Sequence, residues 1–286
     1  MTLDSRLSDF QTGKVEFVDT HCHIHEASAN TGDDEFVRDK WATGGFTESQ
    51  ILIDEAANVG VNRLICVGCT LRDSELAVKL AAEQPNCWAS VGIHPHEAKD
   101  HVRSPEKLQK FTTLLKKPKV VAIGECGLDY YYEHSKKADQ KKMLEFQIEL
   151  AIKHDLPLIF HVREAFDDFW AIFDNYQGIR GVIHSFTDNK LNLEKALKRG
   201  LYIGVNGIAT FSKTVEKSVT YVTIPSDRLL LETDAPFLTP APHRGTICQP
   251  KHLCVTAEFL AGLREENVAD IAKTTTQNAC NLFALK

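Results

Sequence analysis

Residues 120–161 read VVAIGECGLDYYYEHSKKADQKKMLEFQIELAIKHDLPLIFH, and this stretch decides the fold. It opens on an apolar run, 120–124. A helical pattern follows from about 135 to 154, with Met143, Phe146 and Leu150 on one face, and a second apolar run at 157–161 closes it. Similar runs occupy 15–20, 63–68, 88–93, 181–186, 201–205 and 228–233, eight in all. Most are apolar on both faces, as expected of parallel strands covered on both sides.

Helical signals fill the intervals. Ser104-Pro105-Glu106 supplies an N-cap, a proline at the first helical position and an acid in the first turn, and Leu108, Phe111 and Leu115 recur at helical spacing. Ala165, Phe169, Ile172, Phe173 and Tyr176 do the same, and Gly200 stands where a helix over 191–199 should stop. Further helices are expected around 251–264 and 266–283, after a Pro-rich loop at 236–250. Eight β/α units predict a TIM-type (β/α)8 barrel, read as a single domain over 1–286, in preference to a doubly wound sheet. No Gly-rich phosphate fingerprint follows the first run, which weakens a dinucleotide-binding reading. The connection 26–46 reads as a lid or as a mobile insertion.

With 286 residues, 43% of them hydrophobic, a full core is available, and a formal net charge of −6 argues against a broad basic nucleic-acid surface. A site that approaches phosphates through bound cations stays open, because the cations supply the positive charge locally. Residues 1–10 are polar without a signal-peptide core, and no apolar run reaches the roughly 18 residues a span requires. The expected setting is therefore cytoplasmic, with no membrane partner. The eight cysteines do not form a dense disulfide pattern. Cys66 and Cys69 make a C-x-x-C that no second pair completes, which predicts buried free thiols in a reducing cytosol.

The strand ends carry the chemistry. Strand 1 runs into Asp19-Thr20-His21-Cys22-His23, and residues two apart in an extended segment point to one side, so His21 and His23 can grip one ion. Strand 4 ends in Glu125, strand 5 in His161, strand 6 in His184 and strand 8 in Asp234. The C-terminal strand ends of a barrel meet at one face, so these six donors converge. Singly, each reads as a hydrogen-bonded core residue. Jointly, burying so many ionisable groups without metal is too costly, and a metal site is favoured. Four histidines and two carboxylates exceed the needs of one tetrahedral ion. The mixed nitrogen and oxygen set suits Zn2+ or Mn2+, with Mg2+ preferring oxygen. Two cations about 3.5–4 Å apart, bridged by a carboxylate, is the economical arrangement, and Glu125 is the natural bridge.

At these residues the sequence resembles the TatD family of metal-dependent deoxyribonucleases, within the amidohydrolase-like barrels, over about residues 16–284. The resemblance lies in Asp19-Thr20-His21-Cys22-His23, Gly92-Ile93-His94-Pro95-His96, Gly124-Glu125-Cys126-Gly127-Leu128-Asp129-Tyr130-Tyr131, His161-Val162-Arg163-Glu164-Ala165, His184-Ser185-Phe186 and Glu232-Thr233-Asp234-Ala235-Pro236-Phe237-Leu238. It implies one ion held by His21, His23, Glu125 and Asp234, and a second held by Glu125, His161 and His184. It also implies 3′-to-5′ exonuclease activity on DNA, with magnesium often the assay cation. One departure stands out. The family usually continues its last loop as Pro-x-Pro-x-Arg-Gly-x-x-Asn-x-Pro, and here Cys248 takes the place of that asparagine. This puts substrate contacts or loop geometry in question, and leaves the metal site alone.

The expected chemistry follows. Two cations lower the pKa of a bridging water, and Asp234 is placed to orient that nucleophile and accept its proton. Arg163 either clamps a phosphate bidentately or forms a salt bridge to Glu232 or Glu164. His94 and His96 either line the pocket or hold the ligand residues in place. Tyr130, Tyr131 and Tyr132, followed by Lys136, Lys137, Lys141 and Lys142, suit stacked bases above a tracked backbone; the plain alternative is a packed rim beside a solvated helix face. Tyr131 and Arg244 are read as substrate contacts, and the run 116–119 is assigned no function. The expected partner is DNA, single-stranded or at 3′ ends, and no obligate protein partner is evident. Two other readings stay in play. One is hydrolysis of a different ester or amide, such as an aminoacyl-tRNA, a lactone or a small-molecule ester. The other is a non-catalytic binding protein on a retained barrel.

Overall fold

The computed structural model describes residues 15–29, 35–211 and 215–285. Its strands are β1 (Phe17–Cys22), β2 (Val61–Val67), β3 (Cys87–Val91), β4 (Val120–Asp129), β5 (Leu158–Arg163), β6 (Gly181–Ile183), β7 (Tyr202–Val205) and β8 (Leu229–Leu231). They form one parallel sheet in sequence order. The segment after β8 folds back on β1: Asp234 N–H donates to the His21 carbonyl and His23 N–H to the Ala235 carbonyl, each at 2.8 Å. The sheet thereby curls into the TIM-type barrel that the alternation predicts. The helices are α1 (Glu35–Thr43), α2 (Ser49–Ala57), α3 (Leu71–Glu83), α4 (Ala98–His101), α5 (Pro105–Leu114), α6 (Lys137–His154), α7 (Phe166–Phe173), α8 (Lys190–Lys198), α9 (Val215–Thr223), α10 (Leu253–Arg264) and α11 (Val268–Phe283).

Two apolar layers follow from the pleat. Along β2, Leu64 and Cys66 join the large cluster between sheet and helices, whereas Ile65 and Val67 join Val18, Ile159, Val182 and Leu230 in a smaller one that fills the barrel. Leu282 and Phe283 of α11 belong to that smaller cluster and close its lower end. The expected caps are present: Ser104 Oγ accepts from Lys107 N–H at 3.4 Å, and Gly200 turns the chain out of α8 with φ +75°.

Three boundaries differ from the sequence reading, and each matters to the site. β1 continues to Cys22 and so contains His21. β6 ends at Ile183, leaving His184 in the following loop. β4 runs to Asp129, so Glu125 lies inside the strand rather than at its end. The register explains how an interior residue still reaches the barrel mouth. Ile123 pairs with Leu158 but Cys126 pairs with Phe160, which places one extra residue on β4 between them. β1 has the same irregularity, since Asp19 pairs with Leu64 and Cys22 with Cys66. Such bulges re-aim side chains and break the simple alternation. Glycine makes the β4 bulge possible. Gly124 and Gly127 take φ +146° and +150°, and a Cβ on Gly127 would collide with the His161 carbonyl.

The described part of the connection 26–46 is ordered around Trp41. This side chain is fully buried and its Nε1–H donates to the His23 carbonyl at 3.0 Å, so α1 is tied to the barrel mouth.

Candidate metal centre

Five of the six donors expected from the sequence, namely His23, Glu125, His161, His184 and Asp234, line a cavity of about 570 Å3 at the C-terminal ends of the strands. His21 lies beneath them with no exposed surface. Glu125 stands at the centre. Its Oε2 is 3.4 Å from His21 Nε2, while its Oε1 is 2.8 Å from His161 Nδ1 and 3.9 Å from His184 Nε2. Asp234 faces the first group: its Oδ1 lies 3.5 Å from His21 Nε2 and 3.2 Å from His23 Nε2. His21 and His23 therefore meet at one carboxylate although His23 has left the extended conformation, with φ −119° and ψ 39°. Asp234 itself takes φ +61°, a left-handed conformation that Asp tolerates better than most residues. Glu125 thus presents one oxygen to His21 and the other to His161, while His184 stacks on His21 with ring centres 3.6 Å apart and has its ligand nitrogen near those of both His21 and Asp234.

The histidines are oriented from behind. His23 Nδ1 meets the Val67 carbonyl at 2.9 Å, His161 Nε2 meets Asp129 Oδ2 at 3.2 Å, and His184 Nδ1 meets Glu232 Oε1 at 2.9 Å. Each of these rings has its other nitrogen turned toward Glu125 or Asp234, as metal-ligating histidines do. His21 differs: neither of its buried ring nitrogens has a hydrogen-bond partner. Orphaned buried nitrogens cost free energy unless something fills the space they face. The donor set and this orphaned ring fit a cation centre.

The electrostatics agree. Burial opposes charge on the rings, yet Asp234 draws His23 up to about 9, Asp129 and Glu125 draw His161 up to about 9, and Glu232 draws His184 up to about 10. Burial and the neighbouring His184 push His21 down instead. Burial works against ionisation of Glu125 as well, but the surrounding histidines hold it well below the usual carboxylate range. Metal binding at such a cluster displaces protons from the rings.

Several functional neighbours carried no assignment in the sequence. Asp129 is fully buried and its carboxylate accepts four hydrogen bonds: from His96 Nε2 at 2.9 Å, His161 Nε2 at 3.2 Å, Tyr131 N–H at 2.9 Å and Tyr132 N–H at 3.1 Å. It thus connects the β4 loop to His161. Asp19 accepts from Thr233 Oγ1 at 2.6 Å, from Thr233 N–H at 3.0 Å and from His21 N–H at 3.2 Å, which locks the two ligand-bearing segments together. His25 Nε2 contacts Asp73 Oδ1 at 2.6 Å, Asp73 Oδ2 accepts from Cys69 N–H at 2.6 Å, and Cys69 Sγ sits 3.6 Å from Glu125 Oε2. Its place four residues after Glu125, within the motif 124–131, was the signal available for Asp129. We expect Asp129→Asn to lower metal-dependent turnover about 10- to 100-fold, the usual effect of removing a group that orients a ligand. Unchanged turnover and metal content would assign Asp129 to the β4 loop alone.

The expected substrate contacts divide. His94 and His96 line the cavity, with His94 Nε2 3.6 Å from Glu125 Oε1. Arg163 makes neither of the expected salt bridges: Glu232 is taken by His184 and by Ser185 N–H, at 2.6 Å from the latter. Its guanidinium instead lies 4.1 Å from the Tyr131 ring centre and 4.8 Å from that of Tyr132, at the cavity rim. Lys137 lies over the Tyr130 ring and Lys141 pairs with Asp168 at 2.7 Å, so these two lysines already have partners. Arg244 is exposed on the last loop, 5.0 Å from the Phe211 ring centre and outside the residues that line the cavity. Cys248 is fully buried, with its N–H on the Pro236 carbonyl at 3.1 Å. Cys248 thus packs within the loop and lies outside the residues that line the cavity.

Comparison with known proteins places this arrangement. A family profile described as TatD related DNase matches residues 18–284. The Bacillus subtilis protein YabD, named a metal-dependent hydrolase, is 34% identical over 269 residues, covering 93% of this chain and 98% of its own. The 3′-5′ ssDNA/RNA exonuclease TatD of Escherichia coli is 33% identical over 238 residues, covering 80% of this chain and 90% of its own. Among solved structures, the TatD homologue YjjV of Escherichia coli superposes with a TM-score of 0.83 at 26% identity, covering 96% of this chain and all of its own. The chain belongs to the TatD family of metal-dependent hydrolases. None of the helices among the described residues is long and apolar enough to cross a membrane.

Proposed function

We propose that this protein is a 3′-to-5′ exonuclease that hydrolyses the terminal phosphodiester of a single strand at a two-cation centre that His21, His23, Glu125, His161, His184 and Asp234 would hold. The observation that carries the reading is the division of the histidines between the two Glu125 oxygens, His21 at Oε2 and His161 and His184 at Oε1. On this reading His21, His23 and Asp234 complete one cation site and His161 with His184 the other. Mn2+, Zn2+ and Mg2+ are the candidate ions, given nitrogen and carboxylate donors together. When bound, such a pair lowers the pKa of water and neutralises charge on the phosphoryl oxygens.

The chain's own groups do the rest. Asp234 would hold the attacking water through a carboxylate oxygen and take its proton there; its own N–H, donated to the His21 carbonyl at 2.8 Å, fixes the backbone that carries it. The Arg163 guanidinium, backed by two tyrosine faces and without an acidic partner among the described residues, is free to take a phosphate bidentately. His94 and His96 shape the wall between them. The Escherichia coli relative named for single-stranded DNA and RNA supports this substrate class. Purified protein supplied with Mn2+ should release mononucleotides from the 3′ end of end-labelled single-stranded DNA. Cleavage confined to a panel of aminoacyl or small-molecule esters would replace the nuclease reading with esterase chemistry.

A further inference from the structure

The cavity has two unlike walls. Arg163, Tyr132 and His96 form one. Opposite them, the lip beside β1 and β8 is aromatic and apolar, and nothing in the hydrolytic chemistry above uses it. Phe36 of α1 is 69% exposed, yet its inner face is stacked on Phe237, with ring centres 5.7 Å apart and planes 15° apart. Phe237 in turn meets His23 edge-on at 6.3 Å. A continuous line of rings thus rises from a cation-site histidine to the rim, and its last ring presents an open face. Lys40, on the next turn of α1, places its ammonium 5.3 Å from the Phe237 ring centre.

This wall is held in place. Trp41, five residues along α1 from Phe36, is fully buried and hydrogen-bonded to the His23 carbonyl. Phe36 is therefore fixed relative to His23 by two routes, the Phe237 ring and the Trp41 anchor. An exposed aromatic ring held rigidly at the rim of a reaction cavity is a stacking platform, since it presents its face without further loss of side-chain freedom.

We propose that an unpaired nucleobase next to the reacting phosphate stacks on the outer face of Phe36, with Lys40 beside the sugar-phosphate chain. The arrangement separates the two halves of a nucleotide. The apolar wall takes the base, the arginine wall takes the phosphate, and Glu125 lies between them. An unpaired base meets this wall more readily, because a paired one is held to its partner by its edge and to the next pair by its inner face, and cannot turn toward Phe36 without losing both. Phe36 thereby becomes a determinant of single-strand preference. Stacking is tolerant of base identity, so the site reads the presence of a base and ignores its sequence. This inference rests on the nuclease reading and adds the contact that selects a single strand.

The test compares binding of three phosphorothioate pentathymidylates in the presence of Mn2+: intact, abasic at the 3′-terminal sugar, and abasic at the penultimate one. Wild-type protein should bind the intact strand about tenfold more tightly than one of the abasic strands, the scale of a single base stacked on an aromatic ring. Phe36→Ala should bring that ratio close to one, and Phe36→Trp should restore it. Because Phe36 is largely exposed, these replacements leave the core untouched. A flat ratio in the wild type, or a full ratio in Phe36→Ala, overturns the base site. Release of mononucleotides from unmodified DNA is scored separately. Release together with a flat ratio leaves the nuclease reading standing and removes the platform. A clear ratio without release keeps the platform on a nucleic-acid-binding site and removes the nuclease reading. Absence of binding to all three strands removes both.

Discussion

Replacing Glu125 by glutamine will abolish most hydrolysis, a loss of about 10³-fold or more if charge neutralisation at the reacting centre is the dominant contribution. Glutamine keeps the shape of the side chain and removes its charge. Glu125 is 5% exposed and its two oxygens face separate histidines, so the loss should reach both cations at once. Metal content of the purified variant should fall at both sites, toward none, whereas removing a ligand that touches a single ion would leave the other site filled. Glu125→Ala should behave alike and in addition open a polar void. Near-normal turnover in either variant would mean that another group bridges, or that a single ion suffices.

The second large effect concerns Asp234. Asparagine there preserves the volume and one oxygen but cannot accept a proton. We expect Asp234→Asn to fold and to retain the cation proposed at His161 and His184, while losing about 10²- to 10⁴-fold in rate, the range for removal of a general base. Steady-state kinetics on an oligonucleotide and on a small chromogenic phosphodiester should show the same loss, because the step that fails is common to both. Wild-type rates on both substrates would assign Asp234 to orientation of His23 alone.

Much of this site was legible because its signals are local. His21 and His23 sit in one motif, and His161, His184 and Asp234 each follow an apolar run that could be only a buried strand or a short core helix. Alternation of eight runs with helical patterns settled that ambiguity in favour of a barrel, and a barrel brings strand ends together. The hidden parts are those that depend on pairing. That Glu125 lies within β4 follows from an extra residue relative to β5, and no local pattern reports the register of a neighbouring strand. Arg163 illustrates the same limit. Two acids stood close to it in sequence or in expected space, but Glu232 is engaged by His184 and the Tyr131 and Tyr132 rings receive the guanidinium instead. The connection 26–46 concealed a usable signal: Val37 and Trp41 lie four residues apart and are both buried in α1, with Phe36 beside them on the exposed side. The glycines and aspartates around that helix masked its amphipathic face.

The role of Glu125 as the divider of a two-cation centre is most directly tested by anomalous diffraction from crystals of the protein soaked in Mn2+. Two peaks should appear about 3.5–4 Å apart, the usual separation in two-metal sites, one beside each Glu125 oxygen. His21, His23 and Asp234 should surround the first, and His161 and His184 the second. A single peak, or two peaks of which neither touches Glu125, would contradict the account.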